Sequence, residues 1–105
     1  MSEFIFVYRF PENYIGSPEA ASVWESWFDA LGTSLFDKGN PVFVRAATGD
    51  TGQDTGLGGY SLITAENIDA AAELAKNCPI VTSGGGVEVG ELTAVPGRHH
   101  PARTF

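Results

Sequence analysis

The sequence predicts a single α+β domain whose elements follow the order strand, helix, strand, strand, helix, strand. Length and composition are the first observation. The chain has 105 residues, of which 43% are hydrophobic and 18% charged, as is typical of one folded domain. The second observation is the alternation of β-rich and helical patterns along residues 1–92. Residues 93–105 lie beyond this pattern and are interpreted as a C-terminal tail.

The first strand is predicted over residues 3–10, which are rich in aromatic and β-branched side chains. Successive side chains of a strand point to opposite faces, and here both sets are largely apolar. Such a strand is expected at the centre of a sheet that is covered on both faces.

The first helix is predicted to begin after Ser17, whose hydroxyl can cap the free amides, with Pro18 in the first turn. Apolar residues then recur at helical spacing from Trp24 to Leu35. The Gly-Asn-Pro sequence at residues 39–41 is predicted to end the helix.

The second half of the chain supplies the other elements. Three further strands are predicted, at residues 42–46, 59–63 and 87–92. The glycine-rich residues 48–58 read as a loop. Asn67 is predicted to cap a second helix, which ends before Pro79.

This order is that of the split βαβ, or ferredoxin-like, arrangement: a four-stranded antiparallel sheet with two helices on one face and the first and third strands in the middle. The other face of the sheet is then bare. Because the first strand is apolar on that side too, we expect a second copy of the chain to cover it, giving a homodimer.

Charge and cysteine content limit the partners and the compartment. The net charge is −7, and all thirteen acidic residues lie at or before Glu91. Such an acidic domain disfavours nucleic acid as a partner. No apolar run reaches the roughly 20 residues of a membrane span. The N-terminus lacks the basic start of a secretory signal. The single cysteine, Cys78, forms no intrachain disulfide. These features together favour the cytoplasm.

Several segments resemble the YCII-related (DGPF-type) family, and the likeness extends over most of residues 4–92. The segments that carry it are 24–28, 39–42, 57–63, 68–71, 74–79 and 85–89. The resemblance implies a dimeric α/β-barrel, with two sheets face to face and a cavity at or near the interface. It also implies that some relatives use a His-Asp pair, and that a few act on chlorinated hydroxyquinone-type substrates.

The chain departs from the family in two ways that bear on catalysis. Its only histidines are His99 and His100, both in the tail. Residues 48–56 occupy the loop in which the Asp-Gly-Pro-Phe signature is expected, and they lack it. No catalytic residue is therefore transferred from the resemblance.

The polarity of the strands predicts which side chains face the helices and which face the dimer cavity. The predicted helix-facing set is Phe4, Phe6, Tyr8, Val42, Val44, Tyr60, Leu62, Val87 and Val89. The predicted cavity-facing set is Ile5, Val7, Arg9, Phe43, Arg45, Ser61, Ile63 and Glu88.

The polar members of the second set, Arg9, Arg45, Ser61 and Glu88, are the candidate ligand-binding residues. The two guanidinium groups can hold a carboxylate or phenolate, and Glu88 can act as a base. The alternative is that Glu88 and Arg9 neutralise each other at the interface, since buried charges are usually paired.

Other residue types carry two interpretations. Trp24, Trp27 and Phe28 form either ordinary core or the wall of a pocket for an aromatic ligand. Cys78 is interpreted as a buried packing residue rather than a nucleophile. Neither the histidine pair nor any Cys/His/Asp cluster has the spacing of a metal site, and no cofactor is predicted.

The function predicted from the sequence is the binding of a small aromatic or acidic molecule in a dimer cavity; whether the protein is an enzyme stays open. The alternative is a non-catalytic sensor or a protein-interaction module. A further hypothesis is that the basic tail crosses to the acidic body of the other subunit and strengthens the dimer.

Overall fold

The computed structural model describes residues 1–95 and has the predicted α+β architecture. Its strands are β1 (Ser2–Pro11), β2 (Leu35–Asp37), β3 (Thr55–Ala65) and β4 (Gly86–Glu91). Its helices are α1 (Pro18–Leu31) and α2 (Ile68–Ala75), with short 3₁₀ turns at Gly32–Ser34 and Pro79–Ser83. No helix within these residues is long and apolar enough to cross a membrane.

The four strands form one antiparallel sheet in the order β2-β3-β1-β4. The first and third strands are therefore central, as predicted, and the order broadly follows the ferredoxin-like pattern. Phe4 pairs with Ile63 and Phe6 with Ser61, and a bulge after Tyr8 then shifts the register. The bulge adds one residue to β3 at the end of the sheet where a large cavity lies.

One face of the sheet carries the hydrophobic core. Residues from β1, β3, both helices and the segment after α2 form a single buried cluster, whose members are Phe4, Phe6, Tyr8, Trp27, Leu31, Ile63, Ala65, Ala71, Ala75, Cys78 and Ile80. Both helices thus lie on the same face, as predicted. On the opposite face, which we call the open face, Ile5, Val7 and Leu62 are half-buried.

The two predicted helix N-caps are confirmed. The amide of Ala20 donates to Ser17 Oγ at 3.0 Å, and the amide of Ala70 donates to Asn67 Oδ1 at 2.8 Å. Each bond satisfies one of the amides that a helix leaves free in its first turn, which is worth about 1 kcal/mol.

The predicted end of the first helix is wrong. The helix ends at Leu31, because Gly32 takes a positive φ of 56° and its amide bonds back to the carbonyl of Asp29. Glycine adopts this conformation at little steric cost, so the chain turns there. Leu35, which had been assigned to the helical stripe, begins β2 instead.

The predicted strand at residues 42–46 is absent. Pro41 makes an isolated bridge to Gly59, and the amide of Val42 donates to the carbonyl of Gly58 at 3.1 Å, but the ladder goes no further. Proline has no amide hydrogen to donate, and the β3 bulge disrupts the facing strand at the same level. The edge position of the sheet is taken by β2, and β3 begins at Thr55 rather than at Gly59.

The predicted faces of β3 are reversed. Ser61 and Ile63 are fully buried on the helix side, whereas Tyr60 and Leu62 are half-buried on the open face. Residues paired across antiparallel strands project to the same side, so the partners of Phe4 and Phe6 must join the core. A one-residue difference in register exchanges the two faces completely.

Candidate functional site

A cavity of about 740 Å³ lies on the helix side of the sheet. It is bounded by α1, by the adjoining ends of β1 and β3, and by residues 38–45. We call it the aromatic cleft, because the side chains in its lining include the rings of Phe10, Tyr14, Trp24 and Phe28. The sequence-based prediction had placed the ligand site on the open face instead.

Helix α1 supplies one wall of the aromatic cleft. Trp24 and Phe28 are four residues apart, so they lie on the same side of the helix, and both are half-buried in the cleft lining. Trp27 turns inward and is only 6% exposed. The two interpretations of this segment therefore apply to different residues. Trp27 belongs to the core, whereas Trp24 and Phe28 line the aromatic cleft.

The aromatic rings of the cleft are in contact with one another. Phe10 stacks on Trp24 with centroids 5.8 Å apart, and Tyr14 meets Phe10 edge-on at 4.7 Å. Trp24 also contacts Tyr8 edge-on at 5.0 Å and Phe28 at 5.8 Å. Such pairs contribute about 0.5–1.5 kcal/mol each beyond their burial. With the edge-on contact to Trp27 at 5.8 Å, four neighbouring rings hold Trp24 in place in the wall of the cleft.

Glycines in β3 make room on the floor of the cleft. A Cβ atom on Gly58 would overlap the ring of Phe10, and one on Gly56 would overlap the guanidinium group of Arg45. Any other residue at these positions would displace one of these side chains. The positions of Phe10 and Arg45 therefore depend on the absence of side chains from this part of β3.

A buried hydrogen-bond chain ties residue 38 to the sheet beside the cleft. Tyr8 donates its hydroxyl proton to Ser61 Oγ at 2.7 Å, and Ser61 donates to the carbonyl of Lys38 at 2.7 Å. Burial raises the pKa of Tyr8, although the hydrogen bond with Ser61 partly opposes this. The phenol therefore stays protonated and serves as a structural donor.

Two cations line the aromatic cleft, and their surroundings differ. Lys38 Nζ lies 3.0 Å and 3.3 Å from the two carboxylate oxygens of Glu25 and 5.2 Å from the centre of the Phe28 ring. Arg45 rests against Gly56 and makes no ion pair or hydrogen bond with another residue of the described range 1–95.

A second cavity, of about 730 Å³, adjoins the first. We call it the arginine cavity, because Arg9 and Arg45 both line it together with Thr51 and Thr55. Arg9 Nη2 donates to the carbonyl oxygens of Thr51 at 3.1 Å and Thr55 at 3.3 Å, which holds the loop before β3. The two cavities share four residues: Phe43, Arg45, Gly56 and Leu57.

The structure brings together two of the four predicted site residues. Arg9 and Arg45 line the same cavity, but Ser61 is buried on the helix side, so its predicted position facing the open side is wrong. Glu88 is exposed on the open face opposite Val7, and within residues 1–95 no ion pair joins it to Arg9.

Sequence reasoning did not identify Phe10 and Tyr14 as site residues. The available signal was the run of aromatic side chains at the end of the first strand, next to a helix with Trp24 and Phe28 at i, i+4 spacing. That spacing predicts rings on one helix face, and the end of β1 is the nearest apolar surface for them to meet.

Cys78 is not part of the cleft lining. The thiol is 1% exposed, in agreement with the prediction, and burial raises its pKa to about 12. His99 and His100 lie outside the described residues. Within residues 1–95, no group of three or more His, Cys, Asp or Glu side chains is placed to hold a metal ion.

Comparison of the chain with protein-family models, curated proteins and solved structures finds no match.

Proposed function

We propose that this protein binds a small aromatic molecule in the aromatic cleft. The observation that carries the proposal is a cavity of about 740 Å³ whose lining includes five aromatic residues from β1, α1 and the segment between them. Small-molecule sites usually measure about 300–1,000 Å³ and combine apolar walls with a few polar groups. The cleft has both features, since Lys38 and Arg45 are part of its lining.

The partial exposure of the rings in the cleft favours an aromatic ligand. Trp24 and Phe28 are half-buried rather than enclosed, so each keeps surface that a flat apolar molecule can cover. Ring contacts already restrict their motion. Binding therefore costs little side-chain entropy, and a new ring in the cleft adds stacking and edge contacts of the same kind.

The two residues whose pKa is raised, Tyr8 and Cys78, agree with a protein that binds without catalysis. Tyr8 and Cys78 are buried and protonated near neutral pH, and both pKa values move away from the range useful for proton transfer. A sensor or carrier needs only shape and charge complementarity. Neither Tyr8 nor Cys78 is therefore proposed as an acid-base group.

A homodimer through the open face is part of the proposal. Ile5, Val7 and Leu62 present apolar surface there, and the resemblance to the YCII-related family implies two sheets face to face. In such a dimer the aromatic cleft of each protomer lies on the far side of its sheet, free for a ligand. Sedimentation equilibrium is expected to give twice the chain mass of 11.1 kDa, and a monomer at micromolar concentration would contradict the dimer.

A protein-interaction role is the second candidate, and one observation favours it. Phe43 and Val44, next to each other in the loop before β3, are 88% and 95% exposed. Adjacent exposed apolar side chains are typical of contact sites. Val44→Ser, which leaves the lining of the aromatic cleft unchanged, would then weaken partner binding.

A matched pair of substitutions on α1 tests the ligand-binding proposal. Ala21 and Ala30 are both exposed on this helix, but only Ala21 lines the aromatic cleft. Ala21→Phe fills the cleft without removing a core contact, and Ala30→Phe makes the same change elsewhere. Screening by ligand-observed NMR with aromatic fragments is expected to find binders for the wild type and Ala30→Phe, and none or far weaker ones for Ala21→Phe.

Two results would contradict the proposal. One is a wild-type protein that binds no aromatic fragment at millimolar concentration. The other is unchanged binding to Ala21→Phe, which would put the site elsewhere. Circular dichroism spectra of both variants check that the fold is retained.

A further inference from the structure

We infer that the ligand of the aromatic cleft carries a carboxylate, and that Arg45 binds it at the junction with the arginine cavity. The inference rests on the proposed function and adds the chemical class of the ligand. It follows from the position of Arg45, from the charges around it and from the geometry of the guanidinium group.

Arg45 lies where the two cavities meet. It belongs to the lining of both, together with Phe43, Gly56 and Leu57. A ligand whose ring lies against Trp24 and Phe28 can therefore direct a polar substituent toward Arg45 without leaving the cavities. The apolar part and the anionic part of one molecule would each meet a suitable surface.

Lys38 and Arg45 are not equivalent as anion binders. The ammonium group of Lys38 is already paired with both carboxylate oxygens of Glu25. Arg45 has no acidic partner among residues 1–95. Because a second anion would have to compete with Glu25 at Lys38, Arg45 is the cation available to a ligand.

The charge of the arginine cavity lining is the reverse of that of the whole chain. The chain carries thirteen acidic and six basic residues, with a net charge of −7. The lining of the arginine cavity contains two of those six basic residues and no carboxylate. A locally positive cavity in an acidic protein attracts small anions, and the negative remainder repels anions from other surfaces.

Gly56 provides the place for the guanidinium group. The three atoms nearest to a Cβ built on Gly56 are Nη1, Cζ and Nη2 of Arg45. The guanidinium thus lies against the β3 backbone instead of extending away from it. The planar fork of an arginine matches the two oxygens of a carboxylate, and a group held against backbone loses less freedom on binding.

Arg9 acts as a positioning residue in this scheme. Its hydrogen bonds to the carbonyls of Thr51 and Thr55 hold the end of the loop that carries Arg45. The loop is fixed at its start as well, where the amide of Val42 donates to the carbonyl of Gly58. Arg45 therefore lies between two anchored points of the chain.

The experiment compares aromatic carboxylates with their primary amides, which keep the shape and lose the charge. Mono- and bicyclic aryl carboxylates and the matching amides are titrated into the full-length protein, and dissociation constants are measured by protein NMR. The wild type is expected to prefer the carboxylate by about 10- to 100-fold. The preference should shrink as sodium chloride is raised, since the contact is partly exposed.

Arg45→Gln is expected to abolish the preference by weakening carboxylate binding, with amide binding unchanged. Arg45→Lys keeps the charge without the fork and should give an intermediate preference. Lys76→Gln is the control, because Lys76 is an exposed cation paired with Glu73 and lies outside both cavity linings.

Failure of the inference can be distinguished from failure of the proposed function. Equal binding of carboxylates and amides to the wild type, or an undiminished preference in Arg45→Gln, would overturn the role of Arg45 and leave aromatic binding in place. Absence of binding by both series would overturn the proposed function together with the inference.

Discussion

The two ends of the central β1–β3 pair consist of the same two strands, but one end is packed beneath the helices and the other borders a cavity. At one end Phe4 and Phe6 face Ile63 and Ser61, and all four are fully buried under the helices. At the other end Phe10 faces Gly56, and a cavity takes the place of packed side chains. We refer to these as the core end and the cleft end.

The difference lies in what β3 contributes. At the core end its side chains fill the space beneath the helices, and Trp27 stacks on Phe6 with centroids 6.2 Å apart. At the cleft end β3 supplies glycines at positions 56, 58 and 59. The cavity thus lies where β3 lacks side chains and the neighbouring strand stays aromatic.

The largest expected contrast comes from removing one ring at each end. Phe6→Ala creates a cavity in the closed core and should lower the free energy of unfolding by about 3–5 kcal/mol. Phe10→Ala should cost clearly less, because that ring is only half-buried and already borders open space. Urea denaturation measures both values. Equal losses would mean that the cleft end is packed as tightly as the core.

A smaller effect is expected from adding one methyl group to a glycine. Gly58→Ala would overlap the ring of Phe10 and should cost about 1–3 kcal/mol of unfolding free energy, through displacement of that ring. Gly90→Ala is the matched control in β4, because its Cβ would meet Ile5 at an ordinary 3.7 Å. The control should be neutral or slightly stabilising. A neutral Gly58→Ala would show that the cleft floor has spare room.

A third effect concerns the stability of the core end at alkaline pH. Burial raises the pKa of Cys78 from 9.0 to about 12 and also raises that of Tyr8. Above pH 9 the unfolded chain loses the thiol proton while the folded chain keeps it. Stability should therefore fall as pH rises from 9 toward 12, by at most about 1.4 kcal/mol per pH unit for each group.

Cys78→Ala removes the thiol contribution and should flatten the fall between pH 9 and 10, before Tyr8 begins to contribute. Denaturation curves at a series of pH values provide the measurement. An identical slope in the variant would mean that the thiol is as ionisable in the folded chain as in the unfolded one.

The core end was largely predictable from the sequence, and the cleft end was not. The alternation in residues 3–10 and the caps Ser17 and Asn67 have short-range causes, so their prediction succeeded. The end of α1 at Leu31 depends on the backbone conformation of Gly32, which helical spacing does not reveal. The β-rich composition of residues 42–46 predicted a strand, yet the facing strand has a bulge there.

The candidate site was predictable only in its parts. The sequence identified Arg9 and Arg45 as polar groups near a ligand, and Trp24 and Phe28 as a possible pocket wall, as separate hypotheses. Whether these side chains meet at one site depends on the register of β3. The sequence predicts the two faces of that strand the wrong way round. Register is decided by long-range pairing, so a single sequence does not determine whether Ser61 faces the core or the open side.

The two tryptophans allow the most direct test of the central claim, because Trp24 lines the cleft and Trp27 belongs to the core. A bound aromatic carboxylate is predicted to give intermolecular nuclear Overhauser effects to the rings of Trp24 and Phe28, and none to Trp27. Contacts to the open-face side chains Ile5 and Val7 instead, with none to Trp24, would contradict the assignment of the cleft as the ligand site.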